Sequence, residues 1–297
     1  RLMPAFWHWF IAGGTILFVI WCVWLISWSS KQGPANVADD EVVGHKWDGD
    51  LEEWNNPAPK WWLYLYFITI AWAIGYLVAF PGLGSYEGML GWSQEGQYEA
   101  EMQAAAENYD PIYEEFAAMD FEVLSQNAQA QALGKSLYAS YCTTCHGSDA
   151  RGAPGYPNLT DNVWLWGNAE SEVYISIANG RNAVMPVLAP ALGGDEGIAN
   201  MAKYVKSLSG GEADAGAMSA QPMFVALCSA CHGVDGTGNK IFGAPNLTDD
   251  IWLYGGSLET IQETLLNGRN GVMPAHGDLL GENRTKILAA YVYSLSQ

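Results

Sequence analysis

The chain reads as an all-α protein: two N-terminal transmembrane helices followed by two small helical domains in tandem. Three observations carry this. Two apolar runs of 20 residues without a charged side chain lie near the N-terminus. The second half of the chain repeats itself. Both copies close on a helical pattern, "MAKYVKSLSG" and "LAAYVYSLSQ".

Residues 1–30 hold the first span, "WFIAGGTILFVIWCVWLISW" from Trp9 to Trp28, and residues 61–80 the second, "WWLYLYFITIAWAIGYLVAF". As a helix each rises about 30 Å, the thickness of a hydrocarbon core. Trp7, Trp9, Trp24, Trp28, Trp61 and Trp62 crowd the ends, as aromatic side chains do at a membrane interface. The first run is long for a cleaved signal peptide and lacks the basic flank and small-residue cleavage site of one. Cys22 reads as a small apolar packing residue.

Residues 31–60 form the loop between the spans, with seven acids and three lysines. Its lysines favour a cytoplasmic loop, with both chain ends on the opposite side. Residues 81–125 are an extracytoplasmic connector. The polar stretch 81–135 carries ten acids and one base. It reads as short helices broken at Pro111, a solvated spacer holding a globular part off the bilayer, with docking to a partner subunit as the alternative.

The two domains follow at 126–210 and 217–297. "PNLTDNVWLWG" from Pro157 returns as "PNLTDDIWLYG" from Pro245, and "NGRNAVMP" from Asn179 as "NGRNGVMP" from Asn267, both 88 residues on. Cys142 and Cys228 are 86 apart, so the second copy carries a two-residue insertion between His232 and Pro245. "GGEADAGAMSA" (210–220) links the copies.

The formal net charge is −19, with 32 acids against 13 Lys and Arg. That excludes nucleic acid as a partner, because its phosphates would be repelled. It suits a partner with a basic face.

Four of the five cysteines stand in "CTTCH" (Cys142, Cys145, His146) and "CSACH" (Cys228, Cys231, His232). C-x-x-C-H is the attachment signature of haem c. Two thiols one helical turn apart form thioethers with the two vinyl groups of a porphyrin, and the histidine lies under the iron. A zinc site would need further Cys or His ligands at suitable spacing. Only Cys22, His8, His45 and His276 remain. Two motifs call for two covalent haems c.

The sixth iron ligand separates electron transfer from ligand chemistry. Met185 and Met273 occupy the same place in the repeated N-G-R-N-x-V-M-P, 39 and 41 residues after His146 and His232. A following proline favours an extended methionine on a loop. Each methionine can serve its own copy's iron, or the copies can exchange methionine loops as swapped domains exchange like elements. His276 is the rival ligand, without a counterpart in the first copy. The carbonyls of Pro157 and Pro245 can orient the proximal histidines. Leu159 and Leu247 would pack on the ring. Arg181 and Arg269 suit propionates, and Trp164, Trp166, Trp252 and Tyr254 suit the haem edge or the core.

At these residues each copy resembles a class I cytochrome c domain, with its C-x-x-C-H helix, P-N-L loop, methionine loop and closing Tyr-Val-x-Ser-Leu helix. "HKWDGDLEEWNNPAPKWW" (His45–Trp62), running into the second span, resembles the anchor of the membrane-bound dihaem P subunit of cbb3-type cytochrome c oxidases. "GWSQEGQYEAEM" and "GKSLYASYCTTCHGSDARG" resemble that family too. The resemblance implies a multi-pass subunit of the bacterial inner membrane with its haem domains in the periplasm. It would take electrons from a soluble cytochrome c and relay them, through a monohaem cytochrome c subunit, to a catalytic haem-b and copper subunit. No oxygen-reducing site is expected here, since such a site needs several histidines within membrane helices and only His8 stands near one. The other readings are a free membrane-tethered dihaem carrier, a dihaem peroxidase, and the haem subunit of a membrane dehydrogenase. Two matched methionines argue against the open iron of a peroxidase.

Overall fold

The computed structural model describes residues 4–30, 42–54 and 59–297. Arg1 and parts of the loop expected over 31–60 lie outside them. The chain divides into two compact units, 1–106 and 107–297.

In the first unit, α1 (Ala5–Ser29) and α2 (Lys60–Ala79) are the two apolar runs, and both are long and apolar enough to cross a membrane. Among the described residues they bury almost nothing but Ala12, so their side chains face outward all round. Between them, β1 (Val42–Trp47) and β2 (Leu51–Trp54) pair antiparallel. After α2 the chain folds back: Met89 N–H donates to Val78 O (2.9 Å) and Leu90 N–H to Ala79 O (3.0 Å), serving two carbonyls of its last turns. Ser85 N–H donates to His8 Nδ1 at 2.9 Å, which ties this return to α1.

α3 (Gln94–Ala117) runs through Pro111, where the sequence predicts a break. Tertiary contacts override the local penalty. Arg284 pairs with Asp110 at 2.7 Å and lies over the Tyr113 ring, and Phe116 is buried. Lys286 Nζ donates to the carbonyls of Ala117 (3.0 Å) and Met119 (2.9 Å). The end of the connector is thus core rather than spacer.

The rest of the second unit is α4 (Phe121–Gln126), α5 (Ala128–Tyr141), α6 (Thr143–His146), α7 (Glu170–Ala178), β3 (Arg181–Met185), a 3-10 turn (Ala189–Ala191), α8 (Asp195–Leu208), α9 (Ala215–Ser219), α10 (Gln221–Leu227), α11 (Ser229–His232), α12 (Leu258–Asn267), β4 (Arg269–Met273) and α13 (Gly277–Ser294), which Gly281 interrupts at φ +73°. Side-chain caps start several helices: Asn127 Oδ1 accepts from Gln129 and Ala130 N–H, and Asp214 from Ala217 N–H.

The packing partners are exchanged between the copies. α13, from the second copy, packs on α5 and α7, from the first, and on α4 at the end of the connector. Leu137, Tyr138, Val173 and Ile177 share one core with Ile287, Leu288 and Val292. α8, from the first copy, packs on α9, α10 and α12. Ile198, Met201 and Val205 share the other core with Phe224, Ile261 and Leu265. The stretches 126–210 and 217–297 are repeats of sequence, while each core draws on both.

The crossing is made by β3 and β4, which pair antiparallel with Arg181 opposite Met273, Ala183 opposite Gly271 and Met185 opposite Arg269. The chain is therefore mostly helical but not all-α, since both sheets lie in stretches expected to be loops. Pro186 and Pro274 follow the strands and, lacking an N–H, end them. Leu188 N–H then donates to Leu265 O (3.1 Å), and His276 N–H to Ile177 O (2.9 Å). The glycines of the repeated N-G-R-N permit this closeness. Gly180 (φ +71°) and Gly268 (φ +69°) lie against the Met273 and Met185 carbonyls of the opposite copy, where a Cβ would collide.

Candidate functional site

Each C-x-x-C-H motif ends a helix and opens a loop. α5 runs into the single turn α6, and α10 into α11, so the two cysteines of each motif stand one turn apart. His146 N–H donates to Cys142 O (3.0 Å) and His232 N–H to Cys228 O (2.9 Å). Gly147 and Gly233, both at φ +80°, turn the chain away from the helix.

The imidazoles are held from behind. Nδ1 of His146 lies 3.0 Å from Pro157 O, and Nδ1 of His232 lies 3.1 Å from Pro245 O. A carbonyl can only accept, so Nδ1 carries the proton and Nε2 keeps its lone pair. Burial pushes both histidines below the ordinary imidazole range, against the opposing pull of the proline carbonyls. The neutral, ligating form is therefore the one present at neutral pH. Within each motif the first thiol is sheltered and the second exposed. Burial, with a smaller push from the neighbouring cysteine, raises Cys142 and Cys228 to about 11.

One continuous cavity of about 430 Å³ takes in both motifs. Its walls hold Cys142, Cys145, His146, Cys228, Cys231 and His232, and also Met185 and Met273. Met273 packs against the same core as Cys142, Leu159 and Trp164. Met185 packs against the core that holds Cys228, Leu247 and Trp252. Alternation along β3 and β4 turns Arg181, Ala183 and Met185 inward on one strand, and Arg269, Gly271 and Met273 on the other. His276 lines the same cavity, with Nδ1 2.9 Å from Pro274 O.

The arginines are braced. Arg181 donates to Ser176 Oγ (2.9 Å) and Glu172 O (3.1 Å) and lies over the Trp166 ring. Arg269 donates to Thr264 Oγ1 (3.0 Å), pairs with Glu263 (3.3 Å) and lies over the Tyr254 ring. Sequence reasoning missed Lys206, whose ammonium lies 5.1 Å from the centre of the Trp252 ring. The first copy closes with "YVKS" where the second has "YVYS", and this difference was its only signal.

The residues present fit a haem. Trp252 Nε1 is buried on the cavity wall with no hydrogen-bond partner among the described residues. A buried donor left unmatched is costly, and a propionate oxygen would satisfy it. Two thiols, a neutral imidazole and a thioether around one apolar cavity form the donor set that haem c takes.

The comparisons agree with this chemistry. Residues 39–87 match the family model described as the N-terminal domain of cytochrome oxidase-cbb3, FixP. Residues 129–205 and 215–292 each match the model of cytochrome c oxidase, cbb3-type, subunit III. The chain is 42% identical to the cbb3-type cytochrome c oxidase subunit CcoP of Rubrivivax gelatinosus, over 98% of this chain and 95% of that one. It is 38% identical to subunit FixP of Azorhizobium caulinodans (86% of this chain, 92% of that one) and 37% identical to CcoP of Cereibacter sphaeroides (90% and 97%). The match runs through both the anchor and the repeats, and the chain belongs to the CcoP/FixP family of cbb3-type cytochrome c oxidase subunits.

Proposed function

We propose that the chain carries two covalent haems c and passes electrons from a soluble cytochrome c towards the oxygen-reducing subunit of a cbb3-type oxidase. The observation that carries this reading is the shared cavity, with one C-x-x-C-H motif in each half of its wall. Cys142 and Cys145 hold one haem and Cys228 and Cys231 the other. His146 and His232 are the proximal ligands. The distal ligands are crossed, Met273 serving the first iron and Met185 the second. Each haem-binding unit is then a composite, of α5 to α7 with α13, or of α8 with α9 to α12.

When bound, haem iron supplies a one-electron carrier, and methionine opposite histidine raises its potential. The protein holds each imidazole by its Nδ1–H, and Met273 and Met185 would offer sulfur to the iron within apolar walls that exclude water. Arg181, Arg269 and Trp252 Nε1 offer donors for propionates. The remaining oxidase subunits, including a catalytic haem-b and copper subunit and a monohaem cytochrome c subunit, are the partners this reading requires.

Denaturing electrophoresis followed by haem staining is expected to leave colour on the band. Replacing Cys142 and Cys145 together should halve the haem per chain. Colour that runs free of the band would end the haem c assignment.

α1 and α2 both cross the inner membrane in this reading, and residues 81–297 lie in the periplasm, the side on which haem is attached to such motifs. Protease added to intact spheroplasts should release a haem-bearing fragment. A protected fragment covering 126–297 would reverse the topology.

A further inference from the structure

The two mouths of the cavity differ in chemistry. Beside the first attachment motif, the side chains that both line the cavity and face solvent are Tyr141, Cys145 and Tyr156. Leu227, Cys231 and Phe242 do so beside the second, and Ile251 of that copy is also exposed on the cavity wall. The two-residue insertion of the second copy falls here. It closes as a tight hairpin, Asn239 N–H to Ala244 O and Ala244 N–H to Asn239 O, both 3.0 Å. Its tip leaves Ile241 80% and Phe242 54% exposed. Val234, 70% exposed, stands where the first copy has Ser148.

Single exposed apolar residues need no explanation, but here Leu227 and Phe242 line the mouth and Val234 and Ile241 stand exposed on the same loop between His232 and Pro245. Between Gln221 and Trp252 the chain supplies Asp235, Asp249 and Asp250 against one cation, Lys240. Residues 81–297 as a whole hold 25 acids and 9 bases, a net charge of −16.

We propose that this mouth, lined by Leu227 and Phe242 beside Cys231, together with the loop that carries the exposed Val234 and Ile241, is the docking surface for a small soluble electron-carrier protein with a basic face. The proposal rests on the reading that Cys231 holds a haem, and it makes that haem the entry point. A small apolar ring within an acidic field suits a brief encounter: charge brings the carrier in, and limited apolar burial lets it leave. One electron passes from the reduced carrier to the oxidised iron of the second centre, and no bond is made or broken. The first mouth, with its two phenols, lacks both the insertion and the apolar tip.

The test uses the intact oxidase complex and a reduced, small, basic cytochrome c as probe, followed by stopped flow. Val234→Ser with Ile241→Ser should lower the second-order rate about tenfold, because two partly buried aliphatic contacts are lost. The fall with rising salt should keep its slope, since no charge has changed. Leu279→Ser, which removes an exposed apolar side chain from α13, should leave the rate as it was. Reduction by ascorbate should match the unaltered complex in all of them. A rate within twofold of the unaltered complex would overturn the proposal. So would loss of companion subunits on purifying the double variant, which would make the patch a permanent subunit interface. Absence of haem from the unaltered band would instead bring down the reading on which the proposal stands.

Discussion

Met273→Ala is expected to open the iron attached at Cys142 and Cys145 and to leave the iron attached at Cys228 and Cys231 unchanged. Met273 lies in the second copy, yet it packs against the same core as Cys142 and Leu159. In the proposed ligation, removing the thioether takes away the ligand that raises the potential. The fall should be on the order of 0.1 V, within the roughly 0.8 V over which axial ligands move haem potentials. Chains with a single haem assign the effect. With Cys228 and Cys231 replaced, the remaining haem should lose its low-spin spectrum on Met273→Ala and keep it on Met185→Ala. The reverse result would place each methionine on its own copy's iron.

Leu288→Ala is the second large effect. Leu288 is fully buried on α13, in one core with Leu137, Val173 and Ile177 of the first copy. Truncating such a leucine costs about 2–5 kcal/mol, the lost transfer energy plus the cavity left behind. Denaturant unfolding, followed separately at each haem, should show the His146 centre failing first. Met201→Ala, buried on α8 in the other core, should weaken the His232 centre instead. If Leu288→Ala weakened only the His232 centre, the exchanged packing would not hold in solution.

The spans, the duplication and the attachment motifs were legible because each is a local signal. Twenty uncharged apolar residues, or two cysteines followed by histidine, keep their meaning without a partner. The exchange is not local. The copies carry the same apolar pattern, so Ile198 and Met201 could pack with Val173 or with Ile261 equally well on sequence alone. Only the fold decides, and it chooses Ile261 and Leu265. The strands escaped for the same reason, since five residues such as Arg181–Met185 gain strand character only by pairing with Arg269–Met273. At Pro111 the local rule was sound and was outweighed. Asp110, Tyr113 and Phe116 are engaged there, two of them by a side chain more than 170 positions along the chain. The orienting carbonyls of Pro157 and Pro245 could be named from the sequence. The unmatched Trp252 Nε1 could not, because burial of a single atom leaves no trace in composition.

The ribbon of β3 and β4 also bears on how such a chain can change over generations. A duplicated domain ordinarily leaves a spare, and a later deletion can discard one copy and keep a working single unit. Here that path requires a second change, the refolding of the remaining copy onto its own closing helix. Loss of residues 217–297 would strip the first attachment motif of α13 and Met273, and loss of 126–210 would strip the second of α8 and Met185. With the halves crossed, neither copy is a ready-made spare, because each attachment motif packs with the closing helix of the other copy.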